Sequence, residues 1–365
     1  MAVYKIFPEK DATIYSYYPS KNTGLDEILE TTTYSEEELL TGTPQTSRTL
    51  IKFSQTELLN VSASYVTGSF SSSLKLYAAD VTGLSQDITL YTYPISQSWN
   101  MGTGKLADTP STDDGVSWTF RASSGLSPWA TSSFTAGTTA SYDSNGNKGG
   151  GTWFFNLSSS QVFTYSDPVD INMNVTNIVN SWLNNTIPNE GFIIKQDVEF
   201  NNNSTKMTFF SIDTNTIYPP CLEFKWRDYT FNTGSSTQTI ITDQDLYISL
   251  QNNPGIFKTE SINKFRINSR PTYPTRIFST SSFYTTNYYL PTSSYYAVQD
   301  LETNEYIIDF DNQFTQISAD SQSSYFTLFM NGLEPERYYK IIFKIVFDSQ
   351  NINIIDSNYY FKITT

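Results

Sequence analysis

Short runs of alternating apolar and polar residues, each closed by a polar turn, recur along the whole chain. Side chains of a strand point to opposite faces in turn, so this pattern predicts half-buried β-strands. In the first part of the chain such runs fall at 3–7, 49–53, 74–78, 88–93, 117–121, 151–157, 169–173, 192–196, 206–212 and 221–226. Pieces such as Pro19-Ser20-Lys21-Asn22-Thr23-Gly24 separate them. Aromatic residues make up 16% of the chain, and ring-bearing and β-branched side chains suit a pleated, half-covered surface. Many short strands between polar turns argue a sandwich.

One stretch has a different period. Val175, Ile178, Val179, Trp182 and Leu183 lie at i, i+3, i+4, i+7 and i+8, which lines one face of a helix. Asn174 is placed to cap it, and Trp182 is expected to plug the core at one end of the sandwich. Residues 36–40 read either as another helical turn or as a solvated loop. From 102 to 151 the chain is rich in Gly, Ser, Thr and Asp, an elaborated loop with a strand or two inside.

A junction is expected near Phe231-Asn232-Thr233-Gly234, dividing the chain into domains at 1–227 and 228–365. Runs at 239–242, 246–250, 262–267, 276–279, 295–299, 306–310, 325–330, 338–347, 352–355 and 359–363 predict a second set of strands. Leu333-Glu334-Pro335-Glu336-Arg337-Tyr338-Tyr339 has the spacing of a tyrosine corner, with Tyr339 six residues after Leu333 as the better candidate. The fold class expected is all-β: a jelly-roll-like β-sandwich with one short helix, followed by a fibronectin-III- or immunoglobulin-like β-sandwich.

The chemistry is constrained as tightly. The chain has no histidine, which removes Ser-His-Asp and Cys-His nucleophiles and most zinc sites. Its single cysteine, Cys221, has no intrachain partner and is expected to be an inert buried thiol. A formal charge of −14 repels phosphate backbones and anionic lipid, so neither nucleic acid nor membrane is an expected partner. No run approaches the roughly 18 apolar residues of a membrane span, and the N-terminus lacks the apolar core of an export signal.

Gly102-Thr103-Gly104-Lys105 fails as a phosphate loop, because Trp99 replaces the leading Gly and Leu106 the Ser or Thr. Asp143-Ser144-Asn145-Gly146-Asn147 fails as an EF-hand, with Lys148 and Phe154 at the Gly and Glu positions; it reads as a turn using Asn and Gly for positive φ, with a non-EF calcium loop the minor alternative. No cofactor or metal is expected. The carboxylate pairs Asp113/Asp114, Asp197/Glu199, Asp243/Asp245 and Asp309/Asp311 sit at strand edges or turns, where solvated acids are usual. Trp99, Trp118, Trp129 and Trp153 could stack on sugar rings, although Trp in a sandwich more often belongs to core or interface. The tyrosine-dense run Tyr284, Tyr288, Tyr289, Tyr295 and Tyr296 is the favoured contact strip for a protein partner, with core the alternative for half of it.

The order of motifs in the first part resembles the DNRLRE domain family of β-sandwich modules. The matching pieces are Asp11-Ala12-Thr13-Ile14, Asn22-Thr23-Gly24-Leu25, Ser47-Arg48-Thr49-Leu50-Ile51-Lys52-Phe53, Leu74-Lys75-Leu76-Tyr77, Val175 to Leu183, Asn189-Glu190-Gly191-Phe192 and Pro219 to Phe224. Phe265-Arg266-Ile267-Asn268, Tyr273-Pro274-Thr275-Arg276 and Gly332 to Tyr339 look like the C-terminal part of virion structural proteins from T4-like tailed phages of marine bacteria. These resemblances imply a non-enzymatic virion component at neck, tail or head surface, in contact with other virion proteins in many symmetric copies. The competing expectation is an adhesion module for host glycans; an enzyme ranks third.

Overall fold

The computed structural model describes residues 2–33, 46–82, 87–123, 125–133, 135–141, 148–165, 168–199, 205–234, 239–242, 244–251, 253–273 and 287–365. It is an all-β sandwich protein with two short helices among the described residues. By packing it divides into two compact units, one of Ile6–Tyr65 and Ser71–Glu223, the other of Met1–Lys5, Val66–Phe70 and Phe224–Thr365.

Eight strands, counted in chain order, carry the first sandwich: Ala2–Ile6, Ser47–Phe53, Phe70–Leu76, Ile88–Pro94, Ser159–Phe163, Ile171–Asn174, Phe192–Gln196 and Cys221–Trp226. They hydrogen-bond in the orders first–eighth–third–sixth and second–seventh–fourth–fifth, which is jelly-roll connectivity. Pro8–Tyr15 extends the second sheet by pairing antiparallel with Ser47–Phe53. A separate three-stranded sheet runs Ile28–Thr32, Lys206–Phe210, Ala78–Thr82.

The predicted helix is present at Thr176–Leu183, with Ile178, Val179 and Trp182 buried. Asn174 Oδ1 accepts the N–H of Thr176 at 3.1 Å, one of the donors a helix start leaves open. Trp182 packs on Phe192 with ring centroids 4.6 Å apart, the plug expected of it. A second helix, Gln55–Ser64, buries only Leu58 and Val61 and has no strong apolar stripe to announce it. Residues 117–121 and 151–157 are not strands: they form only isolated bridges, Phe120 with Pro128, Ile95 with Trp153 and Thr138 with Phe154. Residues 36–40 and 276–279 lie outside the described residues. Cys221 is buried.

The second sandwich has one sheet ordered Leu246–Gln251, Ile262–Pro271, Ser324–Phe329, Ser318–Ala319. The other runs Ile256–Lys258, Ile352–Thr364, Tyr338–Val346, Ser294–Asp300, Tyr306–Ile308. Lettered in chain order, these are the A-B-E-D and G-F-C-C′ sheets of an immunoglobulin-like sandwich, with a short A′ strand parallel to G. The expected runs 352–355 and 359–363 are one strand with an internal irregularity. Tyr339 makes the tyrosine corner, its hydroxyl donating to the Glu334 carbonyl at 3.2 Å. Ile341, two residues on, is fully buried where antibody domains have a cysteine, so apolar packing pins the two sheets. Phe265, Phe326 and Tyr296 form the central stack, with centroids 5.1 and 4.2 Å apart. Val3 joins the same core, and Tyr4 meets Phe329 edge-on at 5.7 Å. No helix among the described residues is long and apolar enough to cross a membrane.

Candidate interaction surface

The tryptophans are the first sequence-predicted site residues to locate. Along Phe192–Gln196 and its neighbours, Ile193, Leu50, Ala12 and Ile14 cover one sheet face with apolar groups. The 95–153 loop folds over that face and sets Trp99, Trp118 and Trp129 into it. Trp118 and Trp129 are each only 2% exposed, and the Trp129 indole donates to the Ser117 carbonyl at 3.1 Å. Neither offers a ring face to a sugar or a partner: both are core, the commoner role of Trp in a sandwich, and the contact alternative falls for these two. Their burial follows from the loop's lack of strand pairing: it is held by side chains driven into the sheet rather than by a backbone ladder.

Arg48 is the polar centre of this shell. Its guanidinium forks onto Glu199, with Nε to Oε1 at 2.7 Å and Nη2 to Oε2 at 2.6 Å. It lies between the rings of Trp118 and Trp153, 4.8 and 5.1 Å from their centroids. Nη1 donates to the Gly150 carbonyl. Burial opposes ionisation of Glu199, but the Arg48 charge and hydrogen bonds outweigh it and hold the carboxyl below its ordinary range. Gly149 and Gly150 have φ of +129° and +90°, and a Cβ at either would sit 2.3–2.4 Å from Trp118 or Arg48. Only glycine lets the backbone pass so close.

The GxGK-like segment has a comparable structural role. Asn22 is fully buried; its amide donates to the carbonyls of Met101 and Val116, and its Oδ1 accepts from Gly104 N–H at 2.8 Å. Of the carboxylate pairs, Glu199 is bound to Arg48, Asp114 accepts from Thr103, and Asp311 accepts from the Gln313 and Phe314 N–H groups. Asp243 and residues 143–147 lie outside the described residues.

The tyrosine strip separates. Tyr284 lies outside the described residues. Tyr289 and Tyr296 are fully buried core residues, and Tyr288 is half-buried in a two-residue parallel pairing with Thr239. Tyr289 and Tyr296 therefore cannot touch a partner at the surface, a correction that follows from their inward strand parity.

Tyr165, Tyr273 and Phe155 are exposed singly in loops; a cluster of exposed apolar side chains lies on the outer face of the five-stranded immunoglobulin-like sheet. Tyr339, Ile341, Phe343 and Ile345 point into the core, so Tyr338, Lys340 and Lys344 point out. Across the ladder, Lys362 faces Tyr338, Tyr360 faces Lys340, Ile354 faces Lys344 and Ile352 faces Val346. Ile354 is 63% exposed, Tyr338 53%, Ile352 49% and Tyr360 44%. Lys340 pairs with Asp356 at 2.7 Å, and Lys344 sits over the Phe310 ring at 5.8 Å, next to Tyr306.

The face is held rigidly. Arg337 forks onto Asp300 with bonds of 2.8 and 2.7 Å and reaches Glu302 at 2.7 Å, tying the start of the F strand to the end of C. Burial disfavours the Asp300 charge, yet Arg337 and the N–H groups of Glu302 and Thr303 keep its carboxyl below the ordinary range. Isoleucine and tyrosine side chains gathered on one sheet face make an exposed apolar patch, interrupted by Lys340 and Lys344. Sequence reading missed it because residues 352–355, Ile-Asn-Ile-Ile, do not declare which face is inward.

Compared with models of known protein families and with curated proteins, the chain finds no match.

Proposed function

We propose that this chain is a non-enzymatic structural component of a tailed-phage virion, at neck, tail or head surface. It docks neighbouring virion proteins in a symmetric assembly. The observation that carries the reading is the outer sheet face bearing Tyr338, Ile352, Ile354 and Tyr360. The motif resemblances of both parts of the chain supply the virion context. Each copy contributes a modest patch, and many copies around a particle add their affinities.

The test pairs stability with incorporation. Tyr338→Glu with Tyr360→Glu changes two exposed side chains, so unfolding free energy is expected to shift by no more than about 1 kcal/mol. Incorporation into particles, scored by co-sedimentation and imaging at side-chain resolution, is expected to fall by about tenfold or more. Full occupancy by the double variant would overturn the assignment.

A second reading, host-glycan binding, is favoured by one row of rings. Tyr91 and Tyr93 are near-parallel at 5.8 Å, Tyr93 and Trp153 are 5.9 Å apart, and all three are half-buried. Saturable binding on a glycan array, lost in Trp153→Ala, would transfer the assignment to that row.

A further inference from the structure

The G strand, Ile352–Thr364, is hydrogen-bonded on one side to Tyr338–Val346. On its other side Ile256–Lys258 covers only Lys362, Ile363 and Thr364. Among the described residues no strand pairs with the outer edge of residues 352–355, although the Asn353 side-chain amide donates to the Gln244 carbonyl at 2.8 Å. A groove of about 340 Å³ opens beside it, between Gln244, Asp245, Leu246 and Thr272 on one side and Ile352–Ile355 on the other.

Ladder parity says which groups are open. Phe347 N–H donates to the Asn351 carbonyl at 3.0 Å, so 347 and 351 are a hydrogen-bonded pair. In an antiparallel ladder such pairs alternate with non-bonded ones. Ile345 with Asn353 and Phe343 with Ile355 are therefore the next bonded pairs, and the N–H and C=O groups of Ile352 and Ile354 point outward. The run ends where residues 356–358 bulge opposite Ile342, with Asn358 at φ +57°.

We propose that two copies of this chain join edge to edge, G strand antiparallel to G strand, about a twofold axis at Asn353. In that register Ile352 of each copy lies opposite Ile354 of the other, and each pair exchanges both of its N–H···O bonds. The same register sets Ile352 against Ile354 on the exposed face, covering the two isoleucines that are 49% and 63% open to water. It places Asp356 opposite Gln350 and Asp348 opposite Asn358, so no like charges meet. An isologous contact of this kind closes at two copies. It is a property of the edge alone and does not depend on the virion reading.

Sedimentation equilibrium of the purified full chain tests it without any particle. The wild type is expected to associate to a dimer, and no further, as concentration rises to about 100 µM. Ile354→Pro removes an outward donor that no bond to the F strand uses, a position where an edge tolerates proline. It is expected to weaken dimerisation by about tenfold or more, since a donor is lost from each copy. Ile354→Lys, at an exposed position with no folding role, should do the same and serves if the proline variant does not fold. A wild type that stays monomeric, one that grows beyond two copies, or a dimer indifferent to Ile354→Lys overturns the proposal.

Discussion

Replacing Glu199 by glutamine is expected to destabilise the jelly-roll unit by about 4 kcal/mol, because it strands the Arg48 cation in a dry shell. Arg48 and Glu199 are 2% and 8% exposed, and the aromatic rings beside Arg48 replace little of the lost anion. Urea unfolding at neutral pH with an unchanged slope is the measurement. Arg48→Met combined with Glu199→Met should recover part of the loss, since the guanidinium leaves with its anion, while Lys195, 3.6 Å from Glu199, loses its partner. A single Glu199→Gln variant within about 1 kcal/mol of wild type would show the pair to be unimportant. The pH sign follows from the depressed carboxyl. Stability from this pair is present above the ordinary glutamate range and is lost as pH falls through the lower value that Glu199 has in the fold.

Asp11→Asn is expected to act in the opposite direction. Asp11 is 1% exposed on Pro8–Tyr15; Oδ2 accepts the Ile212 N–H at 2.7 Å, while Oδ1 has no hydrogen-bond partner. Burial, against the pull of that N–H and with Asp213 nearby, raises its carboxyl from 3.8 to about 7. The folded chain therefore holds a proton that the unfolded chain releases near pH 4. Stability is highest below that point, declines between about pH 4 and 7, and is flat above, a total loss of about 4 kcal/mol. Asparagine keeps an oxygen for Ile212 and cannot ionise, although its amide lacks a partner, which costs about 1–2 kcal/mol. The variant should gain about 2–3 kcal/mol at pH 8 and lose about 1–2 kcal/mol at pH 3. Parallel unfolding curves for the two proteins across that range would sink the argument.

What the sequence made legible was the interior of strands. Residues 192–196 and 221–226 are strands to the residue, the helix at Thr176–Leu183 buries Ile178, Val179 and Trp182 of its predicted stripe and half-buries Leu183, and Tyr339 closes its corner. These elements have one periodic face and one polar face, so propensity and burial agree. Pro8–Tyr15 was hidden because Glu9, Lys10 and Asp11 interrupt the alternation with three charged residues, although Asp11 is buried in the sheet. The 117–121 and 151–157 runs misled for the converse reason. Their alternation reflects tryptophan and glycine fitting against a neighbouring sheet, not a backbone ladder. The exposed sheet face was the least legible part. Tryptophan count drew attention to a loop whose rings are buried, while the exposed face depends on strand parity that only pairing with Tyr338–Val346 fixes.

Val3 and Tyr4 pack with Phe329 and the core of the immunoglobulin-like sandwich, which is otherwise built from the last third of the chain. During synthesis those first residues emerge long before the surface that receives them exists. The C-terminal sandwich must therefore close a loop of more than three hundred residues before it is complete. Such closure adds only logarithmically to the free-energy cost but slows assembly. A fragment cut at the apparent junction would lack Val3 and Tyr4, so completing the C-terminal core takes residues from both ends of the chain.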